Sequence, residues 1–326
     1  MATLYTHQSS NVRKTWLLMT VFLIVVIGLG SLFAEAWGDP SILYIAVAFA
    51  VLMNFFSYWY SDKIVIKMTG AKLATHQEFP DFYNTVENLS ITAGLPMPKI
   101  YVVNDPAPNA FATGRDPEHA ALAATTGLLA LLNRSELEGV VAHELSHIGN
   151  RDMLVSTVAV VLVGFVAIIS DIFLRSRFHG FRSNNRDSKA GGVLLILALV
   201  AAILAPLGAT LLQLAISRRR EFLADASGAL LTRYPEGLAS ALQKISQAAA
   251  PLQRVSTATA HLFLANPFGP KRSLSNLFMT HPPMEARIAA LLMSGHVPRA
   301  WRGLWRQMAN FCCCALDSAG ISAPGA

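Results

Sequence analysis

The stretch GVVAHELSHIGNRD, residues 139 to 152, places His143 and His147 four residues apart with Glu144 directly after the first. On an α-helix, residues four apart lie one turn above each other on the same face, so both imidazoles can bind one ion. Glu144 is rotated by about 100° and can approach a metal-activated water without being a ligand. The chemistry this allows is metal-assisted hydrolysis with a carboxylate base. A catalytic zinc site needs a third protein ligand and keeps one position open. The best source is SRRREFLADASGAL, residues 217 to 230, where Glu221 and Asp225 are again four apart on one helical face. By spacing alone the two are equal candidates: one carboxylate would bind the metal, and one would hold a ligand imidazole by its other nitrogen.

The elements that must position these groups can be read from periodicity. Leu137, Val140, Val141, Leu145 and Ile148 recur at spacings of three and four, predicting an amphipathic helix with Arg134, Glu136 and Glu138 in polar first turns and Ser135 as its cap. KIYVVND (99 to 105) has strand character, and NAFATGRDPEHAALAATTGLL reads as strand, turn and strand, with Gly114 and Pro117 near the turn.

Around this domain the chain is apolar. Of its 326 residues 53% are hydrophobic and 14% charged, with a mean hydropathy of +0.43, which is the profile of a membrane protein. Segments 15 to 34 and 42 to 60 are each long enough to cross a bilayer. They predict an uncleaved transmembrane hairpin, despite the A-x-A pattern at Ala34-Glu35-Ala36. Arg13 and Lys14 precede it, Glu35 and Asp39 lie in its connector, and Lys63, Lys67 and Lys72 follow it. The positive-inside bias therefore places both ends, and the domain after residue 61, in the cytoplasm. A second apolar pair, 153 to 174 and 191 to 216, is joined by a connector rich in arginine. That connector opposes translocation, so the pair either crosses against the charge rule or lies partly in the interface and partly against the catalytic domain. Asp171, Pro206 and Gly208 fit a lipid-exposed span poorly. The net charge of +6 sits beside hydrophobic runs and not in an aromatic-interleaved patch, which argues against a nucleic-acid partner.

VVAHELSHIGNRDM and SRRREFLADASGA, in this order around an apolar hairpin, closely resemble the zinc helix and the glutamate-bearing helix of the HtpX family. These are integral-membrane zinc metalloproteases related to the CAAX prenyl proteases. NAFATG (109 to 114) and THPPMEARIAAL (280 to 291) resemble family blocks too, so the similarity spans roughly residues 10 to 293. The resemblance implies one zinc per chain held by His143, His147 and Glu221, with Glu144 as base; Asp225 is then the expected partner that orients a ligand, and Asn150 or Asp152 a weaker one. The resemblance also implies that His281 and Arg287 approach the site as donors to the developing oxyanion, and that Asn109, Ala110 and Phe111 line the substrate cleft. The implied fold is a mainly α, multi-pass membrane protein with a zincin-like α+β catalytic domain that carries a small β-sheet and the HExxH helix.

The expected organisation is therefore a membrane hairpin over 1–60, a protease domain over 61–296 interrupted by a hydrophobic hairpin at 153–216, and a C-terminal tail over 297–326. The expected function is quality-control proteolysis of unfolded or misassembled membrane proteins at a bacterial inner membrane, with polypeptides as substrates and the lipid bilayer as environment. Two alternatives are a CAAX-type prenyl-protein protease, which would be expected to carry more spans, and a non-enzymatic membrane protein with structural zinc, which would need a fourth ligand. Cys312, Cys313 and Cys314 are consecutive and make a poor chelate and a poor disulfide framework. The other histidines have no partner at useful spacing.

Overall fold

The structure, a computed structural model, describes residues 4–165, 218–248 and 282–292. Of the features expected above, His281, residues 166 to 216 of the second apolar pair, the three cysteines and the tail lie outside the described residues.

Two helices, α1 (Leu4–Trp37) and α2 (Ser41–Trp59), form an antiparallel pair joined by a turn at Gly38, and both are long and apolar enough to cross a membrane. Their outward side chains include Ile24 and Leu32 on α1 and Tyr44, Ile45, Val51 and Leu52 on α2, each more than half exposed. An apolar surface of this extent suits lipid and not water. The 34 residues of α1 span about 50 Å at 1.5 Å per residue, against a hydrocarbon core of about 30 Å. The helix is therefore longer than a crossing requires.

After α3 (Ser61–Thr69) the chain builds a four-stranded mixed sheet from β1 (Lys72–Leu73), β2 (Lys99–Val103), β3 (Ala110–Gly114) and β4 (Ala120–Thr125), in the order β1-β2-β4-β3. β4 runs parallel to β2 and antiparallel to β3, with Ala110 opposite Ala124 and Gly114 opposite Ala120. The strand, turn and strand expected from the sequence are thus present. The turn works because Gly114 adopts a φ of 144°, where a Cβ would meet the His119 carbonyl oxygen at 2.5 Å. Every residue of β3 and β4 is buried, because the sheet is covered on both faces. Alternation along the strands sorts the side chains. Ile100, Val102, Ala110, Ala112 and Leu122 enter a core with α4 (Pro80–Ala93) and α6 (Arg134–Gly149). Val103, Phe111 and Ala123 enter a second core with Leu18 and Phe22 of α1, Val65 of α3 and the following helix α7 (Asp152–Phe165). The first long apolar helix thus shares a core with the sheet.

Between the sheet and α6 lies the short helix α5 (Thr126–Leu131). The start of α6 differs from the expectation. Its cap is Asn133, whose side chain accepts from the Glu136 amide while the Glu136 carboxylate accepts from the Asn133 amide. The Ser135 hydroxyl only donates to Asn133 Oδ1. Glu136 is not on a solvated turn: it is buried and accepts from Ser240 Oγ at 2.6 Å and Lys244 Nζ at 2.8 Å. Those partners lie on α9 (Pro235–Gln247), so α6 is covered on faces that a simple amphipathic pattern leaves open.

At its far end α6 stops at Gly149, and α7 departs at an angle of 82°. Arg151 makes the corner with a φ of 56°, a left-handed conformation that a non-glycine residue adopts only where the surroundings hold it. α7 is buried from Met153 to Val163 apart from Ser156, so the described part of the third apolar segment packs against protein. Two further helices follow: α8 (Arg218–Thr232) packs on α6, and α10 (Met284–Leu292) packs on α9 and α8.

Candidate metal centre

His143 and His147 project from α6 with their Nε2 atoms 3.2 Å apart. Two nitrogens bound to one zinc at about 2.0–2.1 Å with tetrahedral angles would be about 3.3 Å apart, so the pair needs almost no adjustment to share an ion. Glu221, in the first turn of α8, brings its carboxylate to the same point: Oε1 lies 3.7 Å from His147 Nε2 and Oε2 lies 3.9 Å from His143 Nε2. Among the described residues these three form the one group of histidine, cysteine and carboxylate side chains whose atoms converge as metal ligands. Two imidazoles and a carboxylate are a donor set that suits zinc and leaves a coordination position for solvent or substrate.

The two carboxylates of α8 face different atoms. Asp225 Oδ1 meets His143 at Nδ1, 3.0 Å away, on the side of the ring opposite the converging Nε2 atoms. Glu221 faces the Nε2 atoms, so tertiary packing separates two residues that helical spacing leaves equivalent. α8 comes this close because it carries Gly228, where a Cβ would meet the His143 amide nitrogen at 3.0 Å and the Ala142 carbonyl carbon at 3.2 Å.

Each imidazole is backed by a carboxylate and then by an arginine. On the His143 side, Arg287 of α10 donates from Nε to Asp225 Oδ2 at 2.8 Å and from Nη2 to Asp225 Oδ1 at 2.6 Å. Although burial opposes the charge, Arg287 holds the Asp225 carboxyl below its ordinary range. Reciprocally, despite its own burial, Arg287 is kept charged by Asp225. On the His147 side, Asp152 Oδ2 lies 3.1 Å from Nδ1, and Asp152 Oδ1 is 3.6 Å from Arg220 Nε and accepts from Asn11 Nδ2 at 2.7 Å. Carboxylates on the second ring nitrogen fix tautomer and orientation and raise ligand basicity. Burial disfavours a charged His147, yet Asp152, Glu221 and Glu144 together raise its pKa from 6.5 to about 9.

The other expected residues are placed as follows. Glu144 is buried beside His143, and its charge is felt at both His147 and Arg287. Arg287 does reach the site with its side chain fully buried: besides Asp225, its guanidinium lies 3.4 Å from His143 Nε2 and 3.6 Å from Glu221 Oε2, beside the converging ligand atoms. Asn109, Ala110 and Phe111 are all buried: Phe111 packs in the core shared with α1 and α7, and Ala110 in the core shared with α6. Among the described residues the side chains of Ala110 and Phe111 point into these cores, and the strand that follows Asn109, β3, lies at the edge of the sheet. Asn150 contributes its carbonyl to Asn11 and not its side chain to a histidine.

Two participants have no signal in the motifs. Arg220 reads as a headgroup-facing cation in the run SRRRE, yet it is buried against Asp152. Asn11 precedes the first apolar run and carries no catalytic pattern. Asp152 was legible only as a weak candidate, since a helix continuing past Gly149 would not turn its carboxylate back to His147.

A model of peptidase family M48 matches residues 76–294. A protein described as "Protease HtpX homolog" from Caldanaerobacter subterraneus subsp. tengcongensis is 46% identical over 294 residues, covering 89% of this chain and 97% of that protein. Proteins of the same description from Dictyoglomus thermophilum and Pyrococcus furiosus are 48% identical over 295 residues (90% of this chain, 95% of that protein) and 47% identical over 282 residues (85% and 94%). Among solved structures, the crystal structure of S. mikatae Ste24p aligns with a TM-score of 0.46 at 18% identity, covering 83% of this chain; the match spans 62% of that chain.

Proposed function

The chain belongs to peptidase family M48 and is a membrane metalloprotease, and we propose that it hydrolyses peptide bonds with one zinc ion held by His143, His147 and Glu221 and with Glu144 as general base. The convergence of those three side chains carries the reading. A structural zinc site would close its coordination with a fourth protein ligand, and among the described residues no such ligand joins the group.

When bound, the zinc supplies Lewis acidity and lowers the pKa of water toward neutrality. The chain's own groups do the rest. Asp225 and Asp152 hold the two imidazoles so that both Nε2 atoms face the ion. Glu144 takes the proton of the attacking water and delivers it to the leaving amine, so no covalent intermediate forms. Arg287 acts by fixing Asp225 and through it His143, with its charge also raising the positive potential behind the scissile carbonyl. His281 remains our candidate for direct oxyanion donation, carried from the family resemblance.

An extended polypeptide is held by strand addition along β3, whose edge position in the sheet and shared core with α6 support this. Backbone pairing of that kind reads little side-chain sequence and suits quality control of unfolded membrane proteins. The catalytic domain faces the cytoplasm of a bacterial inner membrane, a reading supported by the lysines and arginines that flank both ends of the α1–α2 hairpin. A prenyl-protein protease would be expected to carry more spans than the four apolar segments that the sequence offers.

The test is purification in detergent of the wild-type protein and Glu144→Gln, with zinc content and casein cleavage measured on both. One zinc per chain in each, with cleavage reduced by about 10²–10⁴ in the variant, is expected for loss of a general base. A wild type without zinc, or a variant that cleaves normally, overturns the reading.

A further inference from the structure

We propose that Asn11, on the first membrane helix, is a positioning residue of the metal centre: its amide fixes Asp152 and Arg220, and through Asp152 it sets the ring of His147. The inference rests on His147 being a metal ligand, as proposed above.

α1 docks on the protease domain along one stripe. Asn11, Thr15, Leu18 and Phe22 are buried in succession, while Arg13, Trp16 and Leu17 between them are exposed. The upper residues of the stripe are apolar and fill the core beneath Phe111 and α7. Asn11, at the base, is 3% exposed and uses both ends of its amide. Nδ2 donates to Asp152 Oδ1 at 2.7 Å and to the Asn150 carbonyl at 3.1 Å, and Oδ1 accepts from Arg220 Nη1 at 3.3 Å. An amide has two N–H donors and a carbonyl acceptor, so one side chain donates to both Asp152 and the Asn150 carbonyl while accepting from the arginine.

The arrangement has a direction. Asp152 has two oxygens, and Oδ2 is turned to His147. Oδ1 is held by Asn11 and, at 3.6 Å, by Arg220. Without Asn11 the carboxylate loses its shortest contact and can rotate away from the imidazole. Arg220 directly precedes Glu221, so Asn11 also bears on the start of the helix that carries the third candidate ligand. Gln8, one turn earlier on α1, donates to the Gly149 carbonyl at 2.7 Å; it docks the same helix at the same corner without touching Asp152. The centre is therefore complete only when the membrane helix is seated.

The experiment uses the full chain in detergent and compares wild type, Asn11→Leu, Asp152→Asn, the double variant and Gln8→Ala. Zinc affinity is read by chelator competition, and ligand geometry by the visible absorption of the cobalt(II)-substituted proteins. Loss of a partner behind a ligand imidazole weakens metal binding by about 10–100-fold, so N11L should bind zinc at least about tenfold more weakly than wild type. N11L should also shift the cobalt spectrum in the same sense as D152N. The double variant should be no weaker than D152N, and Q8A should match wild type. Wild-type affinity in N11L, losses that add in the double variant, or an equal loss in Q8A would each overturn the inference. Where N11L does not assemble, Asn11→Asp keeps the shape and the acceptor for Arg220 but turns an oxygen toward Asp152; weaker zinc binding supports the inference and unchanged binding defeats it. Wild-type protein without zinc defeats the underlying metal reading, whereas zinc-binding wild type with an indifferent Asn11 defeats this inference alone.

Discussion

Arg287 grips Asp225 through two N–H donors, at 2.8 and 2.6 Å, with its entire side chain buried. The planar fork fixes both carboxylate oxygens, and one of them is the oxygen that meets His143 Nδ1. Lysine retains the charge but not the fork. Arg287→Lys is expected to lower zinc affinity by about 10–100-fold with the protein still folded. Arg287→Leu strands a buried carboxylate and should cost about 3–5 kcal/mol. Chelator titration and thermal melts of the two variants measure this; equal zinc affinity in R287K and wild type would refute it.

Gly228 sets the spacing of α8 against α6 at His143. A methyl group there meets backbone at 3.0–3.2 Å, and backbone cannot swing aside as a side-chain tip can. Gly228→Ala should destabilise by about 1–3 kcal/mol and weaken zinc binding, because Glu221 and Asp225 ride on the displaced helix. Gly149→Ala is the contrast: its Cβ would find only Leu95 methyls at 3.7 and 3.9 Å. Melting temperatures that fall equally in both variants would contradict this account.

The raised pKa of His147 makes metal uptake proton-linked. In the metal-free protein the folded value, about 9, lies above the ordinary 6.5. Protonated His147 therefore adds stability in full below about pH 6.5, and that stability is lost as pH rises through about 9. Zinc needs the neutral ring, so binding at pH 7.5 should release close to one proton from this residue, declining above pH 9. Calorimetry in two buffers of different ionisation enthalpy measures the number. A release that does not change between pH 7.5 and 9.5 would rule the linkage out.

Glu136 ties the start of α6 to α9. Burial opposes its charge, but hydrogen bonds from Lys244, Ser240 and the Asn133 amide hold its carboxyl below the ordinary range. Its contribution to stability is present above its unfolded pKa and lost as pH falls through the lower folded value. Glu136→Gln keeps the shape and loses the charge-assisted bonds, so a loss of about 1–3 kcal/mol is expected. Chemical denaturation at pH 7 decides this, and an unchanged midpoint would show that α6 does not depend on the contact.

What the sequence determined by itself is what the geometry of a single element encodes. Helical spacing aligns His143 with His147 and sets Glu144 aside from them. Turn residues at Gly114 and Pro117 between two short runs give the β3–β4 hairpin, and apolar length gives α1 and α2. Each follows because residues a few positions apart in a regular element have fixed relative directions. Tertiary structure decided the rest. Glu221 and Asp225 share one helical face, and only the approach of α8 at Gly228 assigns one to the Nε2 atoms and the other to Nδ1. Asp152 faces His147 because the chain turns by 82° at Arg151, a bend that the apolar run beyond it conceals. Arg220 and Asn11 are 209 residues apart and meet because two separate apolar surfaces, the α1 stripe and the protease core, bury each other. No local period records that meeting: burial of area fixes it, and burial is non-directional until the helices are packed.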